Sequence, residues 1–402
     1  MSILSPSNFR SYREYNLENK KLLVRIDINL PISRDGKVES FYKVRKYMKT
    51  IDVFSDSAIV LISHQGRVGD DNFISLEQHG EYLYNLLGDR FNFVMDIIGE
   101  KAIDYIKRLK PGHVLLLDNV RLLSEETMEG SPDELSKTIF VSRLYKYFDY
   151  FVNDAFGAIH RAHTSLIGFP PVLKSMIGPL MEEELMMLDK FLSERSGCVY
   201  ILGGSKLETK IRVMENILRF NPNAVFLIGG MVSIAMHAIY GSIPKKEVKG
   251  ILDGIDRRII DSCRVVIEEF GDRIYLPIDY RYVKDGVLIE KSIENYSYGD
   301  PIQDIGPKTV EKYLDIIKGF KRVFINGPMG IIENSLTRWG TEEILKGIAN
   351  INIYKVVGGG HMISSLEKLG LLERYDYVST GGGSLLTLLS GEIPMPLKIL
   401  MK

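Results

Sequence analysis

At 402 residues, with 45% hydrophobic and 26% charged side chains, the chain has the length of two or three domains and the composition of a soluble globular protein. A formal net charge of −1 excludes a global pull toward nucleic acid or an anionic membrane, so any basic site has to be local. No apolar stretch approaches the ~18 residues of a membrane span, and Arg10, Arg13 and Glu14 near the start, without an apolar core, speak against a signal peptide. Cys198 and Cys263 form neither a metal-ligand spacing nor a disulfide framework, so both are expected as small buried residues of a cytoplasmic protein.

The first half alternates strand-like and helix-like segments. Strands are expected at 21–29, 58–63, 114–118 and 150–153, and helices at 75–87 and 98–109. This alternation predicts parallel α/β sheets with helices on both faces. In strand 21–29, side chains alternate faces with period two, so Arg25, Asp27 and Asn29 share one face. A structural ion-pair network accounts for that trio about as well as a ligand site does. The following strand ends add His64, Gln65, Gly66 and Arg67, then Arg121, then Arg161. Arginine or histidine delivered to one sheet edge by several strands predicts a dense cationic patch for a small, highly anionic ligand.

Proline and glycine clusters at 168–171 and 178–179 mark a boundary. After it, Met181, Leu185, Leu188 and Leu192 fall on one helical face, and Glu182, Glu183 and Glu184 lie in the first turn. A connecting helix over 179–195 is expected.

Beyond it, five β-rich runs each end in glycine: 198–202 into Gly203-Gly204, 224–228 into Gly229-Gly230, 323–325 into Asn326-Gly327-Pro328-Met329-Gly330, 354–357 into Gly358-Gly359-Gly360, and 375–378 into Ser379-Thr380-Gly381-Gly382-Gly383. Ligands bind beyond the carboxyl ends of parallel strands, where glycine lets backbone N–H groups approach phosphates. Lys206 and Lys210 follow the first pair four residues apart, on one helical face. Neither the P-loop pattern nor the dinucleotide fingerprint occurs, which argues against P-loop and classical dehydrogenase families.

Together these segments closely resemble phosphoglycerate kinase. The motifs that carry the resemblance are 24–29, Ser63-His64-Gln65-Gly66-Arg67, 117–121, 153–163, Gly203-Gly204-Ser205-Lys206, Asp304-Ile305-Gly306-Pro307-Lys308, 326–330 and 379–383, in family order over nearly the whole chain. The resemblance implies two Rossmann-like, doubly wound parallel-sheet α/β domains facing a cleft and joined by a helix. It places a phosphoglycerate-binding domain at 1–178, the helix at 179–195, a nucleotide-binding domain at 196–384, and a segment at 385–402 that returns to the first domain.

It further implies an ATP-dependent phosphotransferase with a carboxyl group as acceptor. The partners would be 3-phosphoglycerate or 1,3-bisphosphoglycerate and Mg²⁺-bound ADP or ATP, with no nucleic acid and no membrane. Transfer would be in-line after hinge closure, in a monomer, with a dimer as the alternative. Carried over, Arg25, Asp27, Asn29, Lys43, His64, Gln65, Gly66, Arg67, Arg121 and Arg161 serve the phosphoglycerate. Gly204, Lys206, Lys210, Gly229, Gly230, Asn326, Pro328, Glu333, Gly358, Gly359, Gly360, His361 and Met362 serve the nucleotide. Lys43, Lys206, Gly360 and Gly383 attend the transferring group.

Two positions depart from the pattern. Lys43 stands where the family has arginine, with Arg45 two residues on. His361 and Met362 follow the glycine triplet where the family has Asp-Thr, so no residue is assigned to the metal. The histidine resembles archaeal members. A non-catalytic homologue that binds nucleotide and anion is the alternative reading.

Overall fold

The computed structural model describes residues 3–193, 197–243, 252, 254–297 and 300–402. It separates into two units, Met1–Ser193 with Ile393–Lys402, and Glu194–Glu392.

The first unit is built on six parallel strands: β1 (Lys21–Arg25), β2 (Ala58–Ile62), β3 (Phe91–Val94), β4 (Val114–Leu117), β5 (Tyr150–Asn153) and β6 (Lys174–Ile177). Their order is β3-β4-β2-β1-β5-β6. Near-continuous apolar runs such as Ala58–Ile62 suit a parallel sheet covered on both faces. Alternate residues feed two cores. Leu22, Val24, Ile59, Leu61 and Leu116 join Tyr47 and Leu83 on one face. Leu23, Val60, Ile62, Leu115 and Leu117 join Ile106 and Phe140 on the other.

Strand β1 stops at Arg25, short of the expected 29. The reason lies in where the next N–H groups go: Asp27 N donates to the Tyr47 hydroxyl and Ile28 N to Ser63 Oγ, so side chains replace the ladder. Helix Pro179–Ser193 belongs to this unit. Its Glu182 accepts from Ser11 Oγ at 2.7 Å and Arg13 Nε at 2.8 Å, and Met181 N donates to Asp154 Oδ1. The end of the expected 179–195 helix, at 194–195, lies outside the described residues.

The second unit carries β7 (Cys198–Leu202), β8 (Ala224–Ile228), β9 (Ile274–Tyr275), β10 (Asp279–Lys284), β11 (Val287–Ser292), β12 (Asp304–Ile305), β13 (Arg322–Asn326), β14 (Tyr354–Gly358) and β15 (Tyr377–Ser379). Six form a parallel sheet of order β15-β14-β13-β7-β8-β9, and β11-β10-β12 form a small antiparallel sheet. Asp285 and Gly286, both with positive φ, make the tight β10–β11 turn. Both cysteines are buried.

The chain returns to the first unit at Ile393, later than the expected 385, because helix Gly382–Leu389 stays with the second unit, where Asn216 Nδ2 donates to Leu389 O. In the closing segment Leu397 and Leu400 are fully buried, Arg10 N donates to Leu400 O, and Lys402 N donates to Asn8 O. No helix among the described residues is long and apolar enough to cross a membrane.

Candidate functional sites in the two units

In the first unit the strand order reverses between β1 and β5, the usual place for a ligand in an open parallel sheet. Arg25 ends β1, and His64 to Arg67 follow β2. Arg121 sits in the turn Val120–Leu122 after β4, and Arg161 follows the turn Phe156–Ala158 after β5. Lys43 comes from the first turn of helix Tyr42–Val53 and meets Asp27 Oδ2 at 2.7 Å. Burial pushes the Asp27 carboxyl up, but the charge and hydrogen bond of Lys43, with the charge of Arg25, outweigh it and hold it low.

Arg25 is wholly buried, which removes it from direct contact with a ligand. Its Nε donates to Ser165 Oγ at 2.8 Å, and its Nη2 donates to His64 Nδ1 at 3.0 Å. Arginine has no acceptor, so His64 Nδ1 carries the lone pair and Nε2 the proton. Burial, then Arg25, Arg121, Arg161 and Lys43, drive the His64 pKa well down, leaving a neutral ring.

Gln65 and Gly66 shape the loop. Gln65 exchanges hydrogen bonds with both the N–H and the carbonyl of Leu30. Gly66 has φ +66° and comes so close to Asn72 that a Cβ would lie 2.2 Å from its carbonyl oxygen. Asn29 Oδ1 accepts from Gly66 N, and Arg121 donates to Gly66 O.

Arg67 is exposed, Arg161 half-buried, and Arg121 buried. Burial and then Arg161 lower Arg121 to about 10, and burial and then Arg67 lower Arg161. Arg45 is exposed and donates to the Tyr82 hydroxyl. The cations therefore repel one another, a cost an anion would relieve. The sequence reading missed Glu126, the fully buried carboxylate that accepts from Ser165 and faces Arg25.

In the second unit the five glycine-ended strands lie in one parallel sheet, and the order reverses between β7 and β13. The glycines nearest that point serve close packing rather than donating to a ligand. Gly203 N donates to Asn326 O, Gly204 N to Pro328 O, Gly229 N to Leu202 O, and Gly230 N to Met329 O. A Cβ on Gly203 would lie 2.1 Å from Pro328 O. Helices Gly360–Lys368 and Gly382–Leu389 both start without a side-chain cap, an arrangement that suits an anion. Gly383 lies in the first turn of the latter. Gly358 and Gly359 lead into the former, with Gly359 at φ +109°.

Lys206 is exposed just before helix Leu207–Phe220. Lys210 differs from expectation. It is buried, and its Nζ reaches Asn326 O at 3.0 Å and Asn326 Oδ1 at 2.5 Å. Burial and then Lys206 lower its pKa to about 7. Asn326 in turn donates through Nδ2 to Gly358 O. Met362 also differs, since it is 1% exposed and fills the core.

A cavity of about 240 Å³ opens beside this framework. Gly204, Gly230, Pro328, Glu333 and His361, five of the residues that the sequence assigns to a nucleotide, line it. Its remaining wall is mostly apolar, including Ile234, Pro277, Tyr280, Ile293 and Ile302, with Ser205, Ser233, His237, Gln303 and Asp304 among them. Apart from Ser205 and Asp304, which lie in motifs the sequence displays, these were not foreseen, although Asp285-Gly286 is a hairpin signal that would have placed β10 and its aromatic residues. Asp304 Oδ2 accepts from Gly340 N and Oδ1 from Ile305 N, and burial pushes its carboxyl up to about 7.

The model of one family, phosphoglycerate kinase, matches residues 12–392. The chain is 36% identical to the phosphoglycerate kinase of Methanobacterium bryantii over 96% of this chain and 95% of that protein. It is 35% identical to phosphoglycerate kinase 1 of Methanosarcina acetivorans over 94% and 92%. Among solved structures, the phosphoglycerate kinase of Pyrococcus horikoshii superposes with a TM-score of 0.88 at 32% identity, covering 97% of this chain and 98% of that one. That of Coxiella burnetii gives 0.76 at 27% identity, covering 98% of each.

Proposed function

The chain belongs to the phosphoglycerate kinase family, and from that premise we propose that it transfers a phosphoryl group reversibly between 1,3-bisphosphoglycerate and ADP, giving 3-phosphoglycerate and ATP. The observation that carries this reading is the pairing of two unlike sites at sheet switch points. One is a cluster of mutually repelling arginines, and the other is a glycine-framed, largely apolar cavity.

Arg67, Arg121 and Arg161 bind the anionic groups of the phosphoglycerate bidentately. Asp27, Asn29 and the neutral His64 orient its hydroxyl and carboxyl groups. Arg25 acts one layer behind, by holding His64. The cavity takes the nucleoside, Glu333 takes its ribose hydroxyls, and the helix starts at Gly360 and Gly382 face its phosphates.

Phosphoryl transfer needs in-line positioning and donors on the equatorial oxygens, without a nucleophilic side chain. Lys43, Lys206 and the N–H groups of Gly360 and Gly383 supply those donors. The oxygen of 3-phosphoglycerate that accepts the phosphoryl group belongs to its carboxylate. Among the described residues no group of three or more His, Cys, Asp or Glu side chains could hold Mg²⁺: near the cavity His361 offers nitrogen to an ion that prefers oxygen, both Asp304 oxygens accept N–H groups, and Glu333 stands without a second carboxylate free to join it.

The test is a coupled assay of ATP-dependent 1,3-bisphosphoglycerate formation from 3-phosphoglycerate. Turnover is expected. Binding of both ligands without turnover would overturn the kinase reading in favour of a non-catalytic homologue.

A further inference from the structure

Glu126 is sealed inside the first unit, with none of its surface exposed. A buried carboxylate is costly unless hydrogen bonds and opposite charge compensate it. Its two side-chain hydrogen bonds come from one residue: Ser165 N donates to Oε2 at 2.9 Å, and Ser165 Oγ donates to Oε1 at 2.8 Å. Oε1 also lies 3.9 Å from Arg25 Nη2 and 3.6 Å from His163 Nδ1. The same charge acts on Arg121 and Arg161. Capping the short helix Thr164–Ile167 accounts for Oε2 and the Ser165 N–H alone. Oε1 is turned to Ser165 Oγ, Arg25 and His163 instead.

The direction of this hydrogen-bond chain follows from its chemistry. A carboxylate only accepts, so the single Ser165 hydroxyl proton goes to Glu126. The Ser165 oxygen then has lone pairs left for Arg25 Nε, at 2.8 Å. Arg25 also donates through Nη1 to Ile26 O, which fixes the plane of the guanidinium, and its Nη2 meets His64 Nδ1 at 3.0 Å. His64 therefore keeps its lone pair at Nδ1 and its proton at Nε2. Lys43, Arg121 and Arg161 act on the same ring, which lies amid the cations.

We propose that Glu126 is a positioning residue of the anion site: through Ser165 and Arg25 it holds His64 in the tautomer that offers an N–H at Nε2 to the phosphoglycerate. Being sealed, Glu126 acts only through these neighbours. The inference rests on the phosphoglycerate reading of the site given above and names a residue that aligns it.

The test follows His64 by nitrogen NMR of isotope-labelled histidine at neutral pH, its signals identified by their loss in His64→Gln. The native ring is expected to show a protonated Nε2 and a bare Nδ1. In Glu126→Gln the amide oxygen can still accept from Ser165 N, but the amide nitrogen donates to Ser165 Oγ, so the hydroxyl proton loses its acceptor and competes with Arg25 Nε. The His64 tautomers should then mix. The KM for 3-phosphoglycerate should rise by roughly tenfold, the scale of one lost hydrogen bond to a charged group, with the KM for ATP unchanged. The turn keeps its other ties, since Thr164 Oγ1 still donates to Glu125 O and Glu125 still accepts from Ile139 N and Phe140 N. Ser165→Ala cuts the relay with Glu126 left in place and should mix the tautomers in the same way, so it carries the test if Glu126→Gln does not fold. A native ring protonated at Nδ1, a single tautomer preserved in Ser165→Ala, or KM values that rise alike for both substrates would overturn the proposal. The NMR readout needs no turnover, so absent catalysis with the tautomer change intact would count against the kinase reading alone.

Discussion

Lys210 shows how far a residue's role depends on which way its helix turns it. Lys206 and Lys210 share a helical face, and the sequence alone sends both to phosphate. Four residues along a helix is also about 6 Å of rise, enough to carry the second lysine inward onto Asn326 while the first stays in water. No pattern of residue types reports that depth. The burial has a consequence for pH. The folded pKa is about 7 against an ordinary 10.5, so between those values the unfolded chain holds the extra proton. Stability therefore rises with pH across that window through this group, and its cost is fully present below pH 7. Lys210→Met is expected to flatten the rise in urea midpoint between pH 7 and 9.5. On the proposed function, nucleotide phosphates raise the Lys210 pKa, so ADP binding near pH 8 should take up a proton. Calorimetry in buffers of different ionisation enthalpy measures this uptake, and Lys210→Met should lose it.

At the scale of elements, the glycine clusters divide into two kinds that look alike in sequence. Gly203 lies against Pro328 with no room for a Cβ, while a Cβ on Gly360 would meet nothing within 4 Å. Gly203→Ala should lower stability by about 1–3 kcal/mol, and Gly360→Ala should leave it within about 0.5 kcal/mol, both read from denaturant midpoints. The parallel sheets were legible because buried parallel strands are apolar runs closed by glycine or polar residues, as at Ala58–Ile62 and Ala224–Ile228. The overlong first strand was not, because Ile26 and Ile28 keep the alternation after Tyr47 and Ser63 have taken over the backbone hydrogen bonds. The strands around Tyr280 escaped notice because mixed aromatic and charged residues on β10 carry no apolar run. With them went Tyr280 and its part of the cavity wall.

For the whole molecule, the cationic cluster and the cavity belong to different units, so their binding energies separate. Arg67→Ala should raise the KM for 3-phosphoglycerate by roughly tenfold to a hundredfold, the range of a lost charge-assisted hydrogen bond, and leave the KM for ATP nearly unchanged. Steady-state kinetics with each substrate varied in turn checks this, and equal effects on both would sink the division of labour. The return of Ile393–Lys402 to the first unit, with helix Met395–Lys398 packed on Thr164–Ile167, bears on how the protein is made. A ribosome releases the bulk of the first unit early, yet that unit lacks Leu397 and Leu400 until all of Glu194–Glu392 has emerged. The usual order, in which the leading domain folds first during synthesis, meets a constraint here: the first unit completes its packing only after the inserted unit has emerged.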